Sequence, residues 1–344
     1  MYKINKLRRQ LIRKLKNFNG LIKLDDSYVS QILFDRTKEG KVFALPQYIL
    51  EKIDFSNVSF DDVNVSGMDF SNLHNVRINP QIIYDRDLSN AKLNGVRFNR
   101  PFDDVLVRGC DFTGTNAYMD IQKIRDKDLS FCILNSVTLN GSFNGVNIRR
   151  TNFTGAYDVV LNPQLAKNKD LLGTILYGVA FEGSFDGCII CEADFTGSVN
   201  AVINVDTIYD RNLYNTKLAD SIVVGSFDGA LIRKTDFTDV CSEIIIDPQK
   251  LRHKSLEGSI LNGVKFINSF NDTLIENTNF TGSINARIDP QTVYGKRMCN
   301  SIFNDVIFVG PFDNVDIAGS IFGNAIGVKI PSKTKALRVF RRVS

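Results

Sequence analysis

Two columns of phenylalanine repeat along this chain at a nearly constant spacing, and a spacing of that length restricts what the chain can build. Phe60, Phe102, Phe143, Phe185, Phe227, Phe270 and Phe312 form one column. Phe70, Phe112, Phe153, Phe195, Phe237, Phe280 and Phe322 form the other, and both step by 42, 41, 42, 42, 43 and 42 residues. A third column reads Asn79, Asp120, Asn162, Asn204, Asp247 and Asp289. Self-similarity at this period belongs to stacked repeats, in which each unit buries its apolar side only against its neighbours. The two or three globular domains that 344 residues would otherwise suggest therefore do not apply.

Within each unit runs a finer step of five. Large apolar residues fall at Leu129, Leu134 and Leu139, then one residue early at Phe143, then at Ile148 and Phe153; the sixth unit repeats this with Leu256, Leu261, Phe266, Phe270, Ile275 and Phe280. Two places before them stand small residues, as in Ala91, Cys132, Thr174, Thr216, Ser259 and Ser301, or Cys110, Thr151, Ala193, Thr235, Thr278 and Ser320, with Met68 as the bulky exception. Five residues fit neither a helical period nor a simple alternating strand, so each reads as a short extended face followed by a bend. Side chains two apart share a strand face, which turns the large and the small residue inward together. Four faces close a square coil of about 20 residues, with coils about 4.8 Å apart.

This grammar, most regular in Asp111-Phe112-Thr113-Gly114, Asn152-Phe153-Thr154-Gly155, Asp194-Phe195-Thr196-Gly197 and Asn279-Phe280-Thr281-Gly282, resembles the pentapeptide-repeat family over residues 53–328. The expected fold is all-β, a right-handed quadrilateral β-helix solenoid with a small α-helical N-terminal cap. Seven two-coil units, one incomplete, imply about 13 coils. The resemblance also implies a second possibility for function, since some pentapeptide-repeat proteins imitate duplex DNA and inhibit or protect a DNA topoisomerase (gyrase).

A 42-residue unit exceeds eight faces by two residues. Asn79-Pro80-Gln81, Asn162-Pro163-Gln164, Asp247-Pro248-Gln249 and Asp289-Pro290-Gln291 place a capping residue before a proline, the way a helix begins. The excess is expected there, as one helical turn bulging from the same corner of every second coil.

A solenoid needs ends, because terminal coils expose apolar faces and open β edges. Residues 1–45 are expected to form a basic helical cap: Ile4, Leu7, Leu11, Leu15 and Phe18 line one side of a helix, and Asp26 or Ser27 caps a second carrying Val29, Ile32 and Leu33. The repeats span 46–328, Pro46-Gln47 being a degenerate first copy of the excursion. Residues 329–344 form a basic tail with Leu337, Val339 and Phe340 as its apolar side, expected to cover the last coil or to mediate self-association.

The net charge of +4 conceals an asymmetry: residues 1–52 carry +7 and residues 329–344 carry +6, leaving −9 on the body between them. One place after the first Phe column stand Asp61, Asp103, Asn144, Asp186, Asp228, Asn271 and Asp313; one place before the second stand Asp69, Asp111, Asn152, Asp194, Asp236 and Asn279. Such residues hydrogen-bond the backbone at bends, and they also compose an acidic stripe for a basic partner. A basic ridge runs beside the excursions: Arg86, Arg125, Lys127, Lys167, Lys169, Arg211, Lys250, Arg252, Lys254, Lys296 and Arg297. Its mixed charge argues against a DNA clamp and favours a solvated loop face.

No catalytic constellation or cofactor motif is present. The two histidines, His74 and His253, lie about four units apart, and an active site needs convergent groups. Gly183-Ser184-Phe185-Asp186-Gly187 lacks the Gly-x-Ser-x-Gly spacing and recurs in other units. Cys188 and Cys191 form a C-x-x-C whose register turns one inward and one outward, and no second pair completes a four-ligand metal site. The six cysteines follow no disulfide spacing and read as reduced thiols; with no apolar h-region after the basic start, a cytoplasmic protein is expected. Neither a small-molecule substrate nor membrane association is expected. The leading functional expectation is a non-enzymatic binding or scaffolding rod whose protein partner the sequence does not identify.

Overall fold

In the computed structural model, which describes residues 2–18, 20–23 and 29–330, the five-residue stepping produces a four-sided β-solenoid of about 12 turns, against the 13 expected. The chain falls into two units, Met1–Val159 and Val160–Ser344, each built on the same rules. Successive coils pair in parallel. In the first unit Tyr118 lies beside Thr138; in the second Val160 lies beside Ala180, Val202 beside Ile222 and Arg287 beside Ile307.

The two Phe columns are the core, and none of their fourteen side chains is more than 7% exposed. Consecutive members meet at 5.9 Å for Phe102 and Phe112, 5.5 Å for Phe185 and Phe195 and 5.9 Å for Phe270 and Phe280, edge towards face. That arrangement contributes about 0.5–1.5 kcal/mol per pair beyond burial.

The small residues two places earlier are buried as well, and they do more than leave room. Thr151, Thr235, Thr278 and Ser320 donate their hydroxyls to the carbonyls of Leu129, Leu213, Leu256 and Met298 at 2.8, 2.7, 2.9 and 2.5 Å, each 22 residues back in the coil beneath. Cys110 makes the same contact to Leu88 through its thiol at 2.8 Å. These positions favour a small donor over a small apolar residue, since each bond made inside contributes about 1 kcal/mol. Met68, which carries no donor, is only half-buried.

Two coil lengths alternate. In the first unit Asp69 pairs with Lys92, 23 residues on, and Lys92 with Asp111, 19 on; in the second Asp194 pairs with Lys217 and Lys217 with Asp236 by the same two steps. The short coil arises where the inward step falls to four, as from Phe181 to Phe185, whose rings close to 5.0 Å. Gly183 turns this corner at φ +94°, and a Cβ there would come within 3.1 Å of the Asn162 amide in the coil below.

The long coil departs from expectation. Its extra residues do not lie at the Asx-Pro-Gln segment but just upstream, where the step from Phe195 to the next large buried residue, Ile203, is eight and takes in the small buried Ser198 and Ala201. A jog is made there by an Asn or Asp in the left-handed region, Asn75 in the first unit and Asn200 and Asn285 in the second, all near φ +59°. Asx-Pro-Gln forms a turn rather than a helix: Asn79, Asn162, Asp247 and Asp289 accept the backbone N–H two residues on at 2.9–3.0 Å. A three-residue turn recurs slightly further along, at Tyr84–Arg86, Arg125–Lys127, Lys167–Lys169, Tyr209–Arg211, Arg252–Lys254 and Tyr294–Lys296, but it is not the expected helical turn, since its last two residues, such as Asp85 and Arg86, both lie in the left-handed region.

The N-terminal segment is also less helical than expected. Helix α1 (Tyr2–Leu15) is followed by strand β1 (Ile22–Lys23), helix α2 (Val29–Leu33), an antiparallel hairpin of β2 (Phe34–Thr37) and β3 (Gly40–Phe43), helix α3 (Gln47–Leu50) and strand β4 (Ile53–Asp54). Strand β1 pairs with β4 in parallel, and Lys41 of the hairpin pairs with Val63. Phe34 and Phe43 of the hairpin pack on the first core rings, Phe43 lying 6.1 Å from Phe55 and 6.2 Å from Phe60. The buried Arg8 of α1 ties the segment together, donating to the carbonyls of Gln31, Ile32 and Phe34 at 2.8–2.9 Å and pairing with Asp35 at 2.7 Å. Leu15 is buried and Ile4, Leu7 and Leu11 are half-buried, whereas Phe18 lies past the helix and is exposed. Asp26 and Ser27, the side chain of Val29, and residues 331–344 with Leu337, Val339 and Phe340 lie outside the described residues.

Candidate interaction surfaces

The two acidic columns have different jobs. Those before the second Phe column are turn residues: the side-chain oxygens of Asp69, Asp111, Asn152, Asp194, Asp236 and Asn279 accept the N–H two residues on at 2.9–3.1 Å. Asp69 is held at a pKa of about 2 by the hydroxyl and amide of Ser71 and by Lys92 at 3.0 Å. Partial burial pushes the Asp194 carboxyl up, but Lys217 at 2.7 Å and Thr196 outweigh it and hold it below its usual range.

The column after the first Phe turns outward, and Asp61, Asp103, Asp186 and Asp313 are exposed. Here it is the backbone that is used. The Gln of each Asx-Pro-Gln turn donates its amide to two carbonyls in the next coil: Gln81 reaches Pro101 and Asp103 at 3.0 and 2.8 Å, Gln164 reaches Ser184 and Asp186 at 3.0 and 2.8 Å, and Gln291 reaches Pro311 and Asp313 at 2.9 and 3.0 Å. The Asp186 carboxylate lies below its usual pKa through the hydroxyls of Thr207 and Ser184.

The basic ridge meets this same corner. Each of these three-residue turns ends in a Lys or Arg in the left-handed region: Arg86, Lys127, Lys169, Arg211, Lys254 and Lys296, at φ between +43° and +52°. A side chain there costs on the order of 1 kcal/mol, which its bonds offset. Lys127 and Lys296 grip the staple glutamines Gln122 and Gln291 at 2.7 Å, and Lys169 reaches the Asp186 carbonyl at 3.2 Å. Others find carboxylates: Arg125 bridges Asp85 and Asp104 at 3.3 and 3.1 Å, Arg211 pairs with Asp206 at 3.1 Å, Lys250 with Asp228 at 3.0 Å and Arg252 with Asp210 at 2.7 Å. Lys167 belongs to the third of these turns. Within each unit cations and carboxylates thus alternate at this corner; Asp228 of the stripe meets Lys250 of the ridge there, while Asp85, Asp104, Asp206 and Asp210 lie outside the stripe.

Other sequence candidates stay apart. His74 and His253 are exposed and belong to different units. Cys188 is buried with its thiol pushed up to about 12 by desolvation, and Cys191 is half-exposed. Among the described residues no group of three or more His, Cys, Asp or Glu is placed to hold a metal ion, and no helix is long and apolar enough to cross a membrane.

One surface has no counterpart in the charge columns. On the face that carries the parallel ladders, the second unit turns Val160, Val199, Val202, Ile222, Ile245, Ile284 and Ile326 outward, each 42% or more exposed. Val160 pairs with Ala180 and Ala180 with Val199; Val202 pairs with Ile222; Ile245 pairs with Lys265 and Lys265 with Ile284. The sequence signal was available at the 42-residue step, as Tyr118, Val160, Val202 and Ile245, two places before the Asx column.

No family model matches the chain, and no curated protein does. Among solved structures it is similar to a trypsin-treated form of QnrB1, a plasmid-mediated fluoroquinolone resistance protein, at 13% identity over 71% of this chain and 83% of that one, with a TM-score of 0.09. An overlap that loose carries no argument about function.

Proposed function

We propose that this chain is a pentapeptide-repeat protein that acts without catalysis, as a binding or scaffolding solenoid for a protein partner in the cytoplasm. Its core side chains stack on one another, and buried groups such as Thr151, Thr235, Thr278, Ser320 and Cys110 are committed to carbonyls of adjacent coils, so the outward faces are what it offers. The observation that carries the reading is the alternation of sign at the excursion corner, where Asp228 meets Lys250 and Arg125 meets Asp85 and Asp104. Paired charges recognise a complementary protein surface through position. They supply neither the unbroken negative face of a duplex imitation nor the unpaired cations that nucleic acid requires.

The second reading, imitation of DNA towards a topoisomerase, draws on the outward carboxylates of Asp61, Asp103, Asp186 and Asp313. A supercoiling assay with purified DNA gyrase separates the two. The expected outcome is unchanged supercoiling, with or without a quinolone, at a tenfold molar excess of this protein. Inhibition or protection that disappears in Asp103→Lys/Asp186→Lys would replace the scaffold reading by the second one.

A further inference from the structure

From the outward ladder of the second unit we infer that this chain self-associates through that face, pairing with a second copy of itself across a two-fold axis. This rests on the apolar face alone and stands or falls separately from the reading of the charged corner. Ten Val and Ile side chains of the second unit are 42–64% exposed, among them Val224, Ile267 and Val309, which follow the ladder positions on the same strands or directly after them. At roughly 80 Å² each they present on the order of 800 Å² of aliphatic surface, above the largest apolar patch of an ordinary monomer and equal to one partner's share of a standard interface.

The chemistry of the face selects its occupant. Its exposed aliphatic residues are all β-branched and stand on short parallel strands or isolated bridges, a flat surface of the kind that packs on another sheet at about 10 Å, whereas a helix seeks a concave groove with long, adaptable side chains. The same kind of flat sheet is what a second copy brings. The charges indicate the orientation. The two cations on the ladder, Lys265 and Arg287, lie in its later half, and Lys265 pairs with Glu243 at 3.3 Å. A parallel arrangement would set Lys265 on Lys265. An antiparallel two-fold sets the half that bears the cations against Val160, Val199 and Val202, and makes the contact isologous and closed. The ladder has nine coils from Val160 to Ile326, and the fifth carries Cys241, which is exposed and bonds backbone to Ser221 as Val199 does to Val179. The axis therefore brings Cys241 close to its own copy.

Sedimentation equilibrium between about 1 and 100 μM tests the inference on the whole chain. The expected result is a monomer–dimer equilibrium that Val202→Lys/Ile245→Lys shifts at least tenfold towards monomer, with circular dichroism and melting temperature retained. Ile222→Thr/Ile284→Thr, which keeps β-branching, is expected to weaken the dimer in the same direction and serves if the lysine pair does not fold. Mild oxidation with copper–phenanthroline should trap a disulfide dimer that Cys241→Ser abolishes. A wild-type monomer throughout this range, or a dimer indifferent to both double variants, would overturn the proposal.

Discussion

Asp69 shows how much a single surface carboxylate contributes to the turn beneath it. Its folded pKa of about 2 lies below the ordinary 3.8, so the stabilisation it provides is present above pH 3.8 and is lost as pH falls through 2. Asp54, Asp194 and Asp210 are lowered too and act in the same direction. Asn fills the same place at Asn152 and Asn279, where it accepts the turn N–H at 2.9 and 3.0 Å without titrating. The variant Asp69→Asn is therefore expected to match the wild type near pH 7 within about 1 kcal/mol, losing only an exposed pair with Lys92. Between pH 4 and 2 it should lose less stability than the wild type, as followed by urea melts at a series of pH values. An identical slope would mean that Asp69 is not the group that titrates.

At the scale of the coil, inward and outward positions differ sharply in what they tolerate. Phe195 is fully buried against Phe181 and Phe185, and Asp186 is exposed on the same coil. Phe195→Asp should cost several kcal/mol, because the carboxylate finds no partner there, while Asp186→Ala should leave the urea midpoint nearly unchanged. This inside-outside division was legible in the sequence because one large residue every five corresponds one to one with a face. The jog was not. Its residues have no common character, and only the recurring left-handed Asn, as at Asn75, Asn200 and Asn285, marks it. The conspicuous Asx-Pro-Gln drew the extra residues to itself, although its carboxamides spend their hydrogen bonds on a turn and a staple. The hairpin β2–β3 was masked by the helical periodicity around it. The apolar ladder escaped because alternation assigns outward positions to polar residues, whereas here Val and Ile occupy both sides of the strand.

For the molecule as a whole, the N-terminal segment is the part whose removal should matter most. Strand β1 lies along β4, and Phe34 and Phe43 cover Phe55 and Phe60. Deleting residues 1–45 would bare that edge and those rings, so the shortened protein should aggregate or associate end to end in size-exclusion chromatography. The intact chain should stay in solution when mixed with anionic vesicles at physiological salt, because α1 already uses Leu15 and Arg8 inside the protein. A monodisperse deletion, together with vesicle binding that the deletion removes, would make the segment a membrane anchor instead. The alternation of 19- and 23-residue coils has a further consequence, for ancestry. Copying a single coil would lay a jog over a neighbour that has none and break every column above it, while copying 42 residues slides each side chain onto its own kind. The fold can therefore be lengthened or shortened only by whole pairs, so that a gene encoding it inherits a minimum denomination of two turns.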